Sequence, residues 1–119
     1  MCIRDSDGNV FRSILSNASG ETSSFFVESE DDDIVNGGTG NDTIRGGIGN
    51  DILRGGAGED IAIGGFGDDT INGQSGNDAI FGGEGADSIN GGAGADIING
   101  EDGDDDLRGQ GGNDTLNGR

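Results

Sequence analysis

The sequence predicts an all-β solenoid of parallel strands, stacked in eighteen-residue coils that each carry two short strands and two turns. Three observations predict it. One nine-residue unit is written nine times without a gap from Gly37 to Asn117. Glycine fills positions one and four, and aspartate fills position six, in all nine copies. Position eight is aliphatic in every copy. Self-similarity at a fixed period outranks local propensity in deciding a fold.

Taken in order, residues 1–6 (Met-Cys-Ile-Arg-Asp-Ser) share nothing with the repeats and read as non-native adapter sequence. Residues 7–32 form an irregular segment. Asp7-Gly8-Asn9 is a turn signal, Val10 to Leu15 reads as a short strand, and the Ser- and Asn-rich stretch 16–24 reads as loop. Phe25-Phe26-Val27 is expected to form a strand or plug over the first coil, with the end of a preceding domain as the other reading. Asp5 to Asn9 begins like an EF-hand loop, but its glycine falls too early and no Glu closes it. Asp33 falls at position six and Val35 at position eight, so the array is entered through half a unit and spans 33–117. Gly118-Arg119 starts a further unit. Stacked repeats need a polar cap, so the chain is expected to be a piece of something longer.

The columns carry the chemistry. Position one holds Gly37, Gly46, Gly55, Gly64, Gly73, Gly82, Gly91, Gly100 and Gly109. Position two holds Gly38, Gly47, Gly56, Gly65, Gly83 and Gly92, with Gln74, Glu101 and Gln110 as departures. Position four holds Gly40, Gly49, Gly58, Gly67, Gly76, Gly85, Gly94, Gly103 and Gly112. Position six holds Asp42, Asp51, Asp60, Asp69, Asp78, Asp87, Asp96, Asp105 and Asp114, with Asp33 in the entering half-unit. Positions one to six read as turn material, and seven to nine as a three-residue strand whose middle side chain alone points inward. Two units close one coil. One inner column is then Ile44, Ala62, Ile80, Ile98 and Leu116, and the facing one is Val35, Leu53, Ile71, Ile89 and Leu107.

That core is too thin to offset the entropy of ordering so many glycine-rich residues. Stacked aspartates would also repel one another. The formal charge is −18, with 24 acidic residues against six basic ones. Such a chain cannot neutralise phosphates, which excludes nucleic acid, and an anionic membrane surface is disfavoured on the same ground. No run reaches membrane-span length. There is no His and one Cys, Cys2, so zinc and the commonest general base are both excluded. Calcium fits, being a hard cation that takes six to eight oxygen ligands from carboxylates and carbonyls at ~2.3–2.6 Å. Magnesium fits less well because it holds its waters and demands octahedral geometry.

Counting aspartates two units apart gives the sites. One edge pairs Asp42/Asp60, Asp60/Asp78, Asp78/Asp96 and Asp96/Asp114, and the other pairs Asp51/Asp69, Asp69/Asp87 and Asp87/Asp105. That is seven calcium sites. Asp33/Asp51 would be an eighth, where the first turn lacks glycine.

These columns resemble the calcium-binding nonapeptides of the repeats-in-toxin family, Gly-Gly-x-Gly-x-Asp-x-aliphatic-x, over about two thirds of the chain. The resemblance implies a right-handed parallel β-roll. It also implies calcium held by the position-six Asp and by backbone carbonyls of positions one to four, here those of the glycines named above. It implies secretion to the extracellular space or cell surface by a one-step, C-terminal-signal (type I) route. Members resemble the C-terminal parts of exported toxins, proteases, lipases and adhesins.

The leading expectation is therefore a calcium-binding domain, disordered without the ion and folding after export. The alternative is a non-catalytic piece of an exported protease, lipase, toxin or adhesin whose active domain is missing. No catalytic constellation is visible in this chain, so it is not read as an enzyme. Ice binding would need a regular outward array, and the Thr39, Ala57, Ser75, Ala93, Gly111 column is broken. Where Gln74, Glu101 and Gln110 replace glycine, strain of up to about 1 kcal/mol is expected if φ is positive. Ala62 is a thin spot in the core. An outward apolar patch is expected at Ile61, Ile63, Phe81 and Ile97, as a docking face for a cap or an adjacent domain.

Overall fold

A computed structural model describes residues 3–4, 10–11, 13–14, 24–30 and 32–118, with side chains for residues 30 and 32–118. The turn expected at Asp7-Gly8-Asn9 and the loop expected at 16–24 lie outside the described residues, except Ser24, which opens a strand instead of ending the loop. So do the side chains of the 25–27 cluster.

The repeats lie in ten strands: β5 (Ile34–Thr39), β6 (Thr43–Ile48), β7 (Ile52–Ala57), β8 (Ile61–Phe66), β9 (Thr70–Ser75), β10 (Ala79–Glu84), β11 (Ser88–Ala93), β12 (Ile97–Asp102), β13 (Asp106–Gly111) and β14 (Thr115–Asn117). Before them stand β1 (Ile3–Arg4), β2 (Val10–Phe11), β3 (Ser13–Ile14) and β4 (Ser24–Ser29). Odd strands β3 to β13 form one parallel sheet and even strands β4 to β14 the other. Each repeat strand pairs with the strand eighteen residues away, as Ile80 does with Ala62 and Ile98. The result is an all-strand solenoid of about five coils, the fold class the period predicts. β3 and β4 add pairing at the near end, with Ile14 opposite Val35 and Phe25 opposite Ile44.

The strands are longer than expected. Full ones run six residues, from position seven of one unit to position three of the next. The Gly-Gly-x segment read as turn does bend at position two, where φ is positive (118° at Gly65, 114° at Gly83), but it stays within the paired strand because the identical segment of the adjacent coil lies in register beside it. Alternation therefore continues past position nine, and three positions per unit point inward instead of one. The aliphatic at eight is buried, the glycine at one is buried, and Asp33, Asp42, Asp51, Asp60, Asp69, Asp78, Asp87 and Asp96 are each no more than 2% exposed. The core is Val35, Ile44, Leu53, Ala62, Ile71, Ile80, Ile89 and Ile98, as the two columns predict.

The columns fail at one end. Leu107 is only partly buried, and Leu116 is 42% exposed because β14 is the outermost strand of its sheet. Gln74, Glu101 and Gln110 do take positive φ, at 82°, 75° and 76°. The outward patch is present: Ile61 and Ile97 are exposed, Ile63 and Phe81 half-buried. Ile48 and Phe66 extend it.

Candidate metal centre

Each position-six aspartate reaches its inward place because the turn delivers it two residues before the aliphatic, on the same face of the chain. There its two oxygens take different roles. One accepts a hydrogen bond from the backbone N–H of the aspartate in the preceding coil. Asp33 donates to Asp51 Oδ1, Asp42 to Asp60, Asp51 to Asp69, Asp60 to Asp78 and Asp69 to Asp87, all at 2.8 Å. Asp78 donates to Asp96 at 2.9 Å, Asp87 to Asp105 at 3.0 Å and Asp96 to Asp114 at 3.0 Å. The ladder runs one way along both edges. It ties together all eight aspartate pairs at the eighteen-residue spacing.

The second oxygen has no such partner. Oδ2 of Asp51, Asp60, Asp69, Asp78, Asp87, Asp96 and Asp105 is buried without a hydrogen bond in the structure. An unsatisfied buried carboxylate oxygen costs several kcal/mol, roughly, so a native fold supplies it with a cation or a proton.

Its surroundings supply more oxygen. A Cβ on Gly73 would run into both Asp78 Oδ2 and the Gly91 carbonyl oxygen, so these two oxygens converge over the Gly73 Cα. The same convergence joins Asp42 with Gly55, Asp51 with Gly64, Asp60 with Gly73, Asp69 with Gly82 and Asp87 with Gly100. Position one must be glycine because any side chain would fill this space. The carbonyls of positions three and six are committed elsewhere: Gly76 N–H donates to Ala93 O, and Ala79 N–H to Asp60 O. Those of position four, such as Gly40 and Gly58, point at the position-four glycine of the next coil.

Electrostatics mark the same column. Burial pushes the carboxyl of Asp69 up to about 7, and those of Asp51 and Asp78 up to about 6, from 3.8. Asp60 and Asp87 are raised as well, again chiefly by burial. The accepted N–H bond pulls each value down in part, and neighbouring aspartates push it up. A cation at Oδ2 would reverse both unfavourable causes. Among the described residues no three carboxylates gather at one point. A metal here would therefore draw on carbonyl oxygens, an all-oxygen anionic donor set that suits a hard divalent ion.

Position five holds a second ladder that sequence reasoning missed. Asp32 Oδ1 accepts from Asn50 N–H, Asn41 from Glu59, Asn50 from Asp68, Asp68 from Ala86 and Asn77 from Ala95. It runs opposite to the aspartate ladder, so adjacent turn N–H groups are taken from the two sides. The signal was the frequency of Asn and Asp at position five; Ala86 and Ala95 carry no side-chain acceptor there, and Glu59 has a longer side chain than Asn or Asp.

A family model described as RTX calcium-binding nonapeptide repeat (4 copies) matches residues 29–62, 54–89 and 81–116. No curated protein and no solved structure matches the chain.

Proposed function

Since the chain belongs to the RTX calcium-binding nonapeptide repeat family, it is a calcium-binding repeat domain, and we propose that its position-six aspartates are the ligands that lock its coils together. Asp42, Asp51, Asp60, Asp69, Asp78, Asp87, Asp96, Asp105 and Asp114 hold the ions, with carbonyls of the position-one, position-two and position-four glycines completing the shells. The eighteen-residue pairs give seven sites, and Asp33/Asp51 an eighth. Bound calcium supplies positive charge to oxygens that are otherwise buried, anionic and unshared.

One observation carries this reading: the row of buried Oδ2 atoms without a partner, each beside a glycine whose Cβ would fill the space. The charge of −18 and a mean hydropathy of −0.51 are those of a chain that stays unfolded until its charge is cancelled. Binding free energy then becomes folding free energy. Export before folding follows naturally, with the calcium-rich exterior as the place where the coils close. The expectation is a secreted or surface-held domain.

Circular dichroism during a calcium titration, with magnesium as control, tests it. Strand signal should be absent in chelator at neutral pH and rise with calcium, while calorimetry counts about seven ions. Full strand signal in excess chelator at neutral pH would sink the folding role. A count of one or two ions would sink the ligand assignment.

A further inference from the structure

Outside the ion columns, the outer face of the even-strand sheet carries the features of a binding groove. Its trough of ≈ 650 Å³ follows the position-two glycines Gly65 and Gly83, which leave no side chains on the floor. Ile63 and Phe66 on β8 line one end, Glu101 and Asp102 on β12 line the other, and Glu84 on β10 lies between them beside Phe66. Phe66 is 53% exposed, although it is the largest apolar side chain of its unit. Glu101 holds φ 75°, where its register neighbour in the coil before, Gly83, is glycine. An acid is thus kept at a backbone position that favours glycine, and it lines this groove.

We propose that this groove docks a basic, amphipathic segment of another polypeptide, with an apolar side chain against Ile63 and Phe66 and Lys or Arg opposite Glu84 and Glu101. Charge decides between occupants. A second copy would bring the same groove carboxylates, Glu84, Glu101 and Asp102, face to face. An anionic bilayer would meet Glu84, Glu101 and Asp102 with like charge. A cationic segment gains from both ends of the trough, since the apolar end desolvates its side chains and the acidic end pairs its charges. The proposal needs the stacked strands β8, β10 and β12 rather than any particular ion count.

The test measures fluorescence anisotropy of a labelled short peptide alternating Leu and Lys, with the chain in calcium and its strand signal recorded on the same sample. Ser–Lys and Leu–Glu peptides serve as controls. The Leu–Lys peptide should bind at least tenfold more tightly than either. Ile63→Asn copies the Asn99 and Asn117 of its own register column, so it leaves the stack intact. Combined with Phe66→Ser, it should weaken binding at least tenfold with strand signal unchanged. Glu84→Gln with Glu101→Gln should flatten the salt dependence. Equal binding of the Ser–Lys peptide, or wild-type affinity in either double variant, would overturn the proposal. So would a dimer of the free chain that the Ile63/Phe66 variant abolishes, because the face would then belong to a second copy.

Discussion

The backbone N–H of Asp60 donates to Oδ1 of Asp78, eighteen residues later in the chain, at 2.8 Å. The same carboxylate therefore joins two coils with one oxygen and turns the other, buried and unshared, toward Gly73. On the proposed assignment, the structural and ion-binding roles sit on two atoms of one side chain, and substitutions can separate them.

Asp78→Asn keeps an oxygen acceptor for the Asp60 N–H and removes the charge. It should lose one or two ions by calorimetry and raise the calcium needed for half-maximal strand signal. Asp78→Ala also strands that N–H, at a further cost of about 1–3 kcal/mol. Urea midpoints at fixed, saturating calcium should rank wild type above Asn and Asn above Ala. Equal midpoints for Asn and Ala would show that the ladder bond contributes nothing.

Acidity should act in opposite directions with and without calcium. Asp69 at about 7 and Asp51 and Asp78 at about 6 lie above 3.8, so the stack binds more protons than the unfolded chain between those values. Their contribution to the ion-free stack is fully present below 3.8 and is lost as pH rises through 6 to 7. In chelator, circular dichroism should show more strand near pH 4 than near pH 8. With calcium, protons compete for the same oxygens, so the half-saturating calcium concentration should rise as pH falls below 7. Chelated samples with a pH-independent spectrum would contradict these shifts.

Gly73→Ala should damage the site without touching a charged group. Its methyl would meet Asp78 Oδ2 and the Gly91 carbonyl, and relief requires backbone movement costing about 1–3 kcal/mol. Gln74→Gly, one residue on, should instead stabilise by about 1 kcal/mol by removing a side chain held at φ 82°. Denaturation midpoints at one calcium concentration compare the pair directly.

Ala62→Val should fill the thin place in the core. Ala62 is 1% exposed between Ile44 and Ile80, which occupy equivalent places in the coils on either side. Two added methyl groups should contribute about 1–1.5 kcal/mol, read as a higher urea midpoint. A lower midpoint would mean that the opposite column has already closed over the space.

Much of the fold was legible because the period is a geometric instruction. Aspartate and isoleucine two residues apart must share a face, and an eighteen-residue repeat must place each residue on its own equivalent. Strand length was misjudged because Gly-Gly reads locally as turn, whereas the bent segment still pairs when an identical one lies beside it. The position-five ladder was missed for a related reason: Asn41 reaches the Glu59 N–H only at the spacing that stacked strands impose. Leu116 belongs to the predicted column but lies exposed, since burial there depends on what stacks against β14.

By itself the sequence determined the solenoid, the two aliphatic columns, the aspartate column and calcium as the fitting ion. Each of these follows from residue type at a repeated position. Only the tertiary structure decided how each aspartate is used. The two oxygens of a carboxylate are chemically equivalent until a neighbouring group distinguishes them, and that group is an N–H in the coil before, which no single unit contains. It takes Oδ1, and the seven Oδ2 atoms from Asp51 to Asp105 are left buried without a hydrogen bond, the oxygens proposed to meet the ion.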